Sequence, residues 1–149
     1  MDADGNIASI YCHSDGYPQE PGVGQTLLDH WNDRSKVIDM IALGNLSSLG
    51  HELGEKHPFD LMDEFKHIDD LFKRWAAYES DPRYHWNRYY GRDRGEDGNE
   101  PISHTDAGWP DFGQEYLYLW KYEGGWVAMT TYGDKGWMTI PELIEEEEG

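Results

Sequence analysis

Between Glu115 and Tyr132 two runs of large apolar residues flank the turn sequence Glu123-Gly124-Gly125. Aromatic and β-branched runs bounded by glycine predict a hairpin, Tyr116 to Tyr122 against Trp126 to Tyr132. Side chains alternate across a strand. One face therefore carries Leu117, Leu119, Val127 and Met129, and the other Tyr116, Tyr118, Trp120, Tyr122, Trp126 and Tyr132. The expected register sets Leu119 beside Met129, because a slip of one residue would exchange the faces. Neither face is polar, so the hairpin has to be covered twice. It lies between two layers of its own chain, or its aromatic face meets a partner.

The remaining elements are read from periodicity and stop signals. Ile7 to Cys12 is an apolar, β-prone strand, and His13 to Gly22 is a loop of turn formers. Gly24 to Trp31 predicts a short helix. Asp33 caps a second, Arg34 to Leu43, which Gly44-Asn45 ends. Leu46 to Pro58 is connection, pinned by Leu46, Leu49 and Leu53. Leu61, Phe65, Ile68, Phe72 and Trp75 recur at helical steps, which predicts one long core helix, Leu61 to Glu79, capped by Asp60 and closed by Asp81-Pro82. The stripe would be core, with Phe65, Ile68 and Phe72 buried; exposed, it would instead fill a partner's groove. Arg83 to Tyr90 is a strand or an extended aromatic segment. Thr139 and Pro141 open a last helix that runs into Glu145 to Glu148. The expected fold is α+β: a single domain over 1–149, a small antiparallel sheet built from the first strand, the central aromatic segment and the hairpin, and three to four helices packed on it. Residues 1–6 and 145–149 are expected to be flexible ends.

Charge narrows the partners. The 30 acidic and 12 basic residues sum to −18. That balance opposes binding to DNA or to an anionic membrane through a general basic surface. It fits a salt-adapted protein, or a surface that imitates the phosphate backbone and occupies a nucleic-acid-binding protein. Seven of the twelve cations fall between Lys66 and Arg94, so the rest of the chain is more acidic than the mean. The one cysteine, Cys12, allows no intrachain disulfide, and no apolar leader or membrane span is present. These features predict a cytoplasmic setting.

Candidate site residues fall in two stretches. His13 and Asp15, with Tyr17, sit in the loop after the first strand, where a His and an Asp could act as base and orienter. Tyr90, Arg92, Asp93, Arg94 and Glu96 form an alternating run bracketed by Gly91 and Gly95. It reads as a salt-bridged loop, or as a guanidinium fork for phosphate or carboxylate. The run lacks the G-K-[ST] of a P-loop. The seven histidines include no i, i+4 pair of the metalloprotease kind, and His51 and His57 beside Glu52 and Glu55 are weak metal evidence. No catalytic residue, metal or cofactor is implied. A candidate interaction surface comprises Tyr118, Trp120 and Trp126 with Glu142, Glu145, Glu146, Glu147 and Glu148.

Ser9 to Pro18 (SIYCHSDGYP), the following LLDHWNDRSKVIDMIALGNLSSLG, the run YGRDRGE at Tyr90 to Glu96, and EYLYLW in the hairpin together resemble a functionally uncharacterised family of small proteins encoded by bacteriophages and prophages. Position 14 is commonly aromatic in that family and is Ser here, and the Leu61 to Glu79 helix is not one of its features. The resemblance implies a setting, the host cytoplasm, and no catalytic residues. The expected function is that of a small acidic phage accessory protein. It binds a host protein with a basic surface, of the kind that handles nucleic acid in defence (anti-CRISPR or anti-restriction type, DNA-mimic-like), without touching nucleic acid or membrane itself. The alternative is a small enzyme or nucleotide-binding protein that uses the His13/Asp15 loop and the Arg92 to Glu96 run. Convergence of His13, Asp15, Arg92, Arg94 and Glu96 in one pocket would favour that alternative.

Overall fold

The computed structural model describes residues 1–56, 61–133 and 135–148. Its hairpin pairs β5 (Tyr116–Trp120) with β6 (Trp126–Thr130), and Leu117 stands opposite Met129 and Leu119 opposite Val127. The register therefore differs by two from the expected one. The loop begins one residue earlier: the Lys121 N–H donates to the Gly125 carbonyl at 3.0 Å, which leaves Tyr122, Glu123 and Gly124 as the loop. Gly124 has φ +102°, the left-handed position that closes a three-residue hairpin loop. A shift of two leaves every side chain on its expected face. Two elements then cover the hairpin's edge and flank. β7 (Met138–Thr139) pairs with β6, and α4 (Ile140–Glu148) packs on both.

The α4 start is a capping box. The Glu142 N–H donates to Thr139 Oγ1 at 3.2 Å, and Thr139 Oγ1 and N–H donate back to Glu142 Oε1 at 2.8 and 3.3 Å. Ile140 and Leu143 are fully buried. They meet α1 (Val23–His30) and α2 (Arg34–Ala42) in one core with Leu27, Trp31, Val37 and Met40. Asp33 caps α2 as expected, accepting from the Lys36 N–H at 3.4 Å. Gly44 ends that turn at φ +89°, where a Cβ would lie 2.0 Å from the Asn99 carbonyl oxygen.

The protein is an α+β domain, with three small antiparallel sheets in place of one. β1 (Ile7–Ser9) pairs with β4 (Ile102–His104), and β2 (Leu46–Ser48) pairs with β3 (Arg88–Tyr89). The expected strand Ile7 to Cys12 changes partners midway. After Ser9 it leaves β4, and the Leu46 N–H donates to the Tyr11 carbonyl at 2.7 Å. Residues 1–6 close a turn in which Asp2 Oδ1 accepts from the Asp4 and Asn6 N–H groups at 2.9 Å. The bond from Asn6 is the main cause holding the Asp2 carboxyl below its ordinary range.

The expected helix Leu61 to Glu79 is two elements. A 3-10 turn covers Leu61–Phe65 and α3 covers Leu71–Ser80. Asp70 causes the break: its backbone is extended (ψ 118°) and its side chain accepts from the Lys73 N–H at 3.1 Å, so it caps a new helix. The break turns the apolar stripe outward. Leu61 is buried, Phe65 and Ile68 are half-buried, and Phe72 is 90% exposed. The cap expected at Asp60 lies outside the described residues. Asp81-Pro82 closes α3 and opens the 3-10 turn Pro82–His85, so Tyr84 does not share a strand face with Arg88. α3 packs on the two 3-10 turns that flank it. Leu143→Ala should cost about 2–5 kcal/mol in denaturant unfolding, and Phe72→Ala no more than about 0.5 kcal/mol; equal losses would contradict this arrangement.

Candidate functional site

The Tyr89 to Glu96 run is a knot. Arg92 Nε donates to Asp93 Oδ1 at 3.0 Å, Nη1 to the Leu53 and Gly54 carbonyls at 3.0 Å each, and Nη2 to the Asn87 carbonyl at 3.0 Å and to Asp93 Oδ2 at 3.4 Å. A guanidinium has five N–H donors. All five are engaged, so none remains for a phosphate. Asp93 is buried and also accepts from the Tyr89 N–H at 2.6 Å. The Tyr89 ring lies under Arg92, 5.0 Å from its guanidinium carbon, and the Tyr89 hydroxyl donates to the Met40 carbonyl at 2.7 Å. Burial pushes that phenol up to about 12. Arg94 lies over the exposed side of the chain. It sits 5.1 Å from the Tyr90 ring and donates to Ser47 Oγ at 3.2 Å, while Glu96 is exposed.

The His13, Asp15 and Tyr17 loop is fastened to its surroundings. Asp15 takes φ +56°, its carbonyl accepts from the Val23 N–H at 2.8 Å, and Tyr17 Oη donates to its carboxylate at 3.5 Å. The neighbouring Gly16 carbonyl accepts from Tyr118 Oη at 2.6 Å. Among the described residues no hydrogen bond joins His13 to Asp15; His13 is exposed, with Tyr11 edge-on to its ring.

Beside this loop opens a cleft of about 910 Å³ between the first strand segment, α2 and the hairpin, walled by Ile7, Ile10, Val37, Ile41, Leu117 and Leu119. His13 and Tyr17 lie on its lining; Asp15, Tyr90, Arg92, Arg94 and Glu96 do not. The Cys12 thiol faces it, and burial pushes it up to about 11, which leaves it protonated and unreactive at neutral pH. Trp120, another lining residue, has a buried Nε1–H with no acceptor, whereas those of Trp31, Trp109 and Trp126 are bonded.

The candidate interaction surface divides. Trp126 is core: 8% exposed, its Nε1–H donating to the Trp31 carbonyl at 3.0 Å. Tyr118 and Trp120 are half-buried against the core. Glu142 belongs to the capping box, Glu146 pairs with Lys135, and Glu147 accepts from Tyr116 Oη at 3.0 Å and Tyr132 Oη at 3.3 Å. Glu145 and Glu148 are exposed, and among the described residues no ion pair engages them. Nearly all described carboxylates are exposed; Asp81 and Asp93 are the exceptions.

The largest exposed apolar group is elsewhere. Phe72 at 90%, Leu71 at 71% and Trp75 at 53% exposure share α3. Their periodicity is plain in sequence; the sign that they face outward was Asp69-Asp70, a cap signal inside the stripe.

Comparison with protein-family models, with curated proteins and with solved structures gives no match to this chain.

Arg92→Ala should cost about 3–5 kcal/mol in urea unfolding, because it removes the guanidinium that pairs with buried Asp93 and donates to three carbonyls. Arg92→Lys, with three donors, should recover only part. An Arg92→Ala variant as stable as the parent would remove the knot from the account.

Proposed function

We propose that the protein acts by binding another protein, in the manner of a phage accessory protein that engages a basic host protein. Host factors that handle nucleic acid in defence are the natural class, since their working surfaces are basic and a carboxylate exterior can occupy them. The observation that carries the reading is α3, with Leu71, Phe72 and Trp75 displayed together. Aromatic side chains clustered on a surface mark partner sites, and a few such anchors supply most of an interface's energy. The carboxylate exterior has a second role. From Glu96 to Glu123 seven carboxylates face one cation, Lys121. Such a field steers a basic partner over distance and sets the association rate more than the final affinity. Between Lys66 and Arg94, by contrast, seven cations stand with five carboxylates, so the anchor's own stretch is close to charge-balanced and the steering field comes from the rest of the chain. Nucleic acid and anionic membrane are opposed by the same field, and no helix among the described residues is long and apolar enough to cross a membrane.

Affinity capture from host cells with the parent protein, repeated with Phe72→Ala/Trp75→Ala, tests the anchor. A specific partner should be held by the parent and lost by the double variant, with folding unchanged. For that partner, Glu145→Lys/Glu148→Lys and added salt should both slow association, because exposed attractions are screened beyond about 8–10 Å at physiological ionic strength. A partner retained equally by the double variant and at high salt would sink the proposal.

A second reading, small-molecule binding, is favoured by the cleft. It departs from the phosphate-binding alternative, since the Arg92 donors are consumed elsewhere and the walls are apolar. A pocket of this size and lining suits a neutral, largely apolar ligand with one acceptor for the Trp120 indole. Saturable enhancement of a neutral solvatochromic dye such as Nile red, reduced by Leu117→Trp, would support it, and absence of saturable binding would remove it.

A further inference from the structure

Three histidines from segments remote in sequence stack face to face. His30 ends α1, His51 lies in the loop after β2, and His85 ends the 3-10 turn Pro82–His85. The His30 and His51 ring centroids are 4.0 Å apart with planes 9° from parallel, and His51 and His85 are 4.6 Å apart at 7°. Parallel planes turn the ring nitrogens away from any common point, and no group of His, Cys, Asp or Glu among the described residues is disposed to hold a metal ion. The stack joins two parts of the molecule. α3 has no buried residue, and beside the stack the His51 N–H donates to the His85 carbonyl at 2.7 Å, next to the bridge between Glu52 and Trp86.

We propose that this stack is a proton-operated latch, which docks the Leu61–His85 segment on the body while its imidazoles are neutral and opens when neighbouring rings become charged. Neutral imidazoles gain from face-to-face contact; imidazolium ions at 4.0–4.6 Å repel one another. His85 is held in place by its Nε2–H, which donates to the Glu79 carbonyl at 3.0 Å. Charged groups surround the stack on every side. Glu20 precedes α1, Asp29 is on α1, Lys36 and Asp39 are on α2, and Glu52 adjoins His51. Arg83 is drawn to Glu64 and Asp81, and Tyr84 sets its ring edge-on to His85 at 5.1 Å. Burial and then the flanking imidazoles His30 and His85 depress the His51 pKa, against the opposing pull of Glu20 and Asp29, so it lies below its ordinary value. The folded protein thus binds fewer protons here than the unfolded chain. The stabilisation is complete above about pH 6.5, the ordinary histidine value, and is lost as pH falls below it. Opening would change how α3 is presented; that consequence rests on α3 as the partner anchor, whereas the latch does not.

The test needs no partner. Amide hydrogen exchange of the whole chain, corrected for intrinsic rates, should show protection in 61–85 falling between about pH 6.5 and 5.5, by at most about fivefold for a single proton taken up on opening. His51→Phe keeps a flat ring in the stack and removes the proton, so its protection there should not vary with pH. In the parent, NMR titration should find His51 protonating below the ordinary histidine value. Protection independent of pH in the parent, a full pH response in His51→Phe, or three histidines titrating independently at ordinary values would each overturn the latch.

Discussion

The guanidinium of Arg92 ties the loop at Leu53 and Gly54 to the stretch from Asn87 to Asp93. It bonds the carbonyls of Leu53, Gly54 and Asn87 and the carboxylate of Asp93, and it lies on the ring of Tyr89. Taking an ion pair out of water costs several kcal/mol per ion and is recovered only when the remaining donors are satisfied; here all five are. Tyr89 carries the effect onward. Its backbone pairs with Leu46 in β2, its hydroxyl reaches the last turn of α2 at Met40, and its ring belongs to the core that Trp126 and Leu143 also enter. The run that looks like a ligand site is thus what holds α2, β2 and β3 in register.

Such a knot is needed because the strands are short. Two- and three-residue ladders leave much backbone without ladder partners, and buried carbonyls need donors from elsewhere. Aromatic side chains with polar tips supply them. Trp31 bonds Gly50, Trp126 bonds Trp31, Tyr118 bonds Gly16 and Tyr89 bonds Met40. Each places an apolar ring against the core and its donor on a loop or helix-end carbonyl. The high aromatic content, 7 Trp and 10 Tyr, therefore substitutes for extended sheet.

What the sequence disclosed follows the range of the interactions involved. The α2 cap at Asp33, the stop at Gly44, both faces of the hairpin and the α4 start at Thr139 are set by residues within a few positions of one another, and all were legible. The hairpin register depended on where the loop began, and both adjacent glycines take positive φ, so the glycine pair alone left the loop bounds open. The α3 stripe was misread because apolar periodicity reports a face without saying what covers it, while the Asp70 cap outweighed continuity of the helix. His13, Asp15, Arg92, Arg94 and Glu96 do not converge, because Arg92 turns inward to carbonyls 38 and 39 residues away, which no local pattern announces. The histidine stack was beyond sequence for the same reason, each ring coming from a different element.

An exposed Phe72, Leu71 and Trp75 would ordinarily invite self-association. A net charge of −18 opposes it, since two copies repel before their stripes can meet. The same charge costs the compact state through self-repulsion, and four consecutive glutamates end α4 where the helix dipole disfavours them. Burial of Ile140 and Leu143 and the tyrosine bonds to Glu147 hold α4 against that cost. Acidity and the apolar stripe are therefore coupled. The carboxylates keep copies of the chain apart, and on the proposed reading the same field draws a basic partner towards the stripe. Salt acts on both terms at once: screening weakens attraction to a basic partner and also removes the barrier between copies, so the exposed stripe is tolerable only while the charge around it is felt.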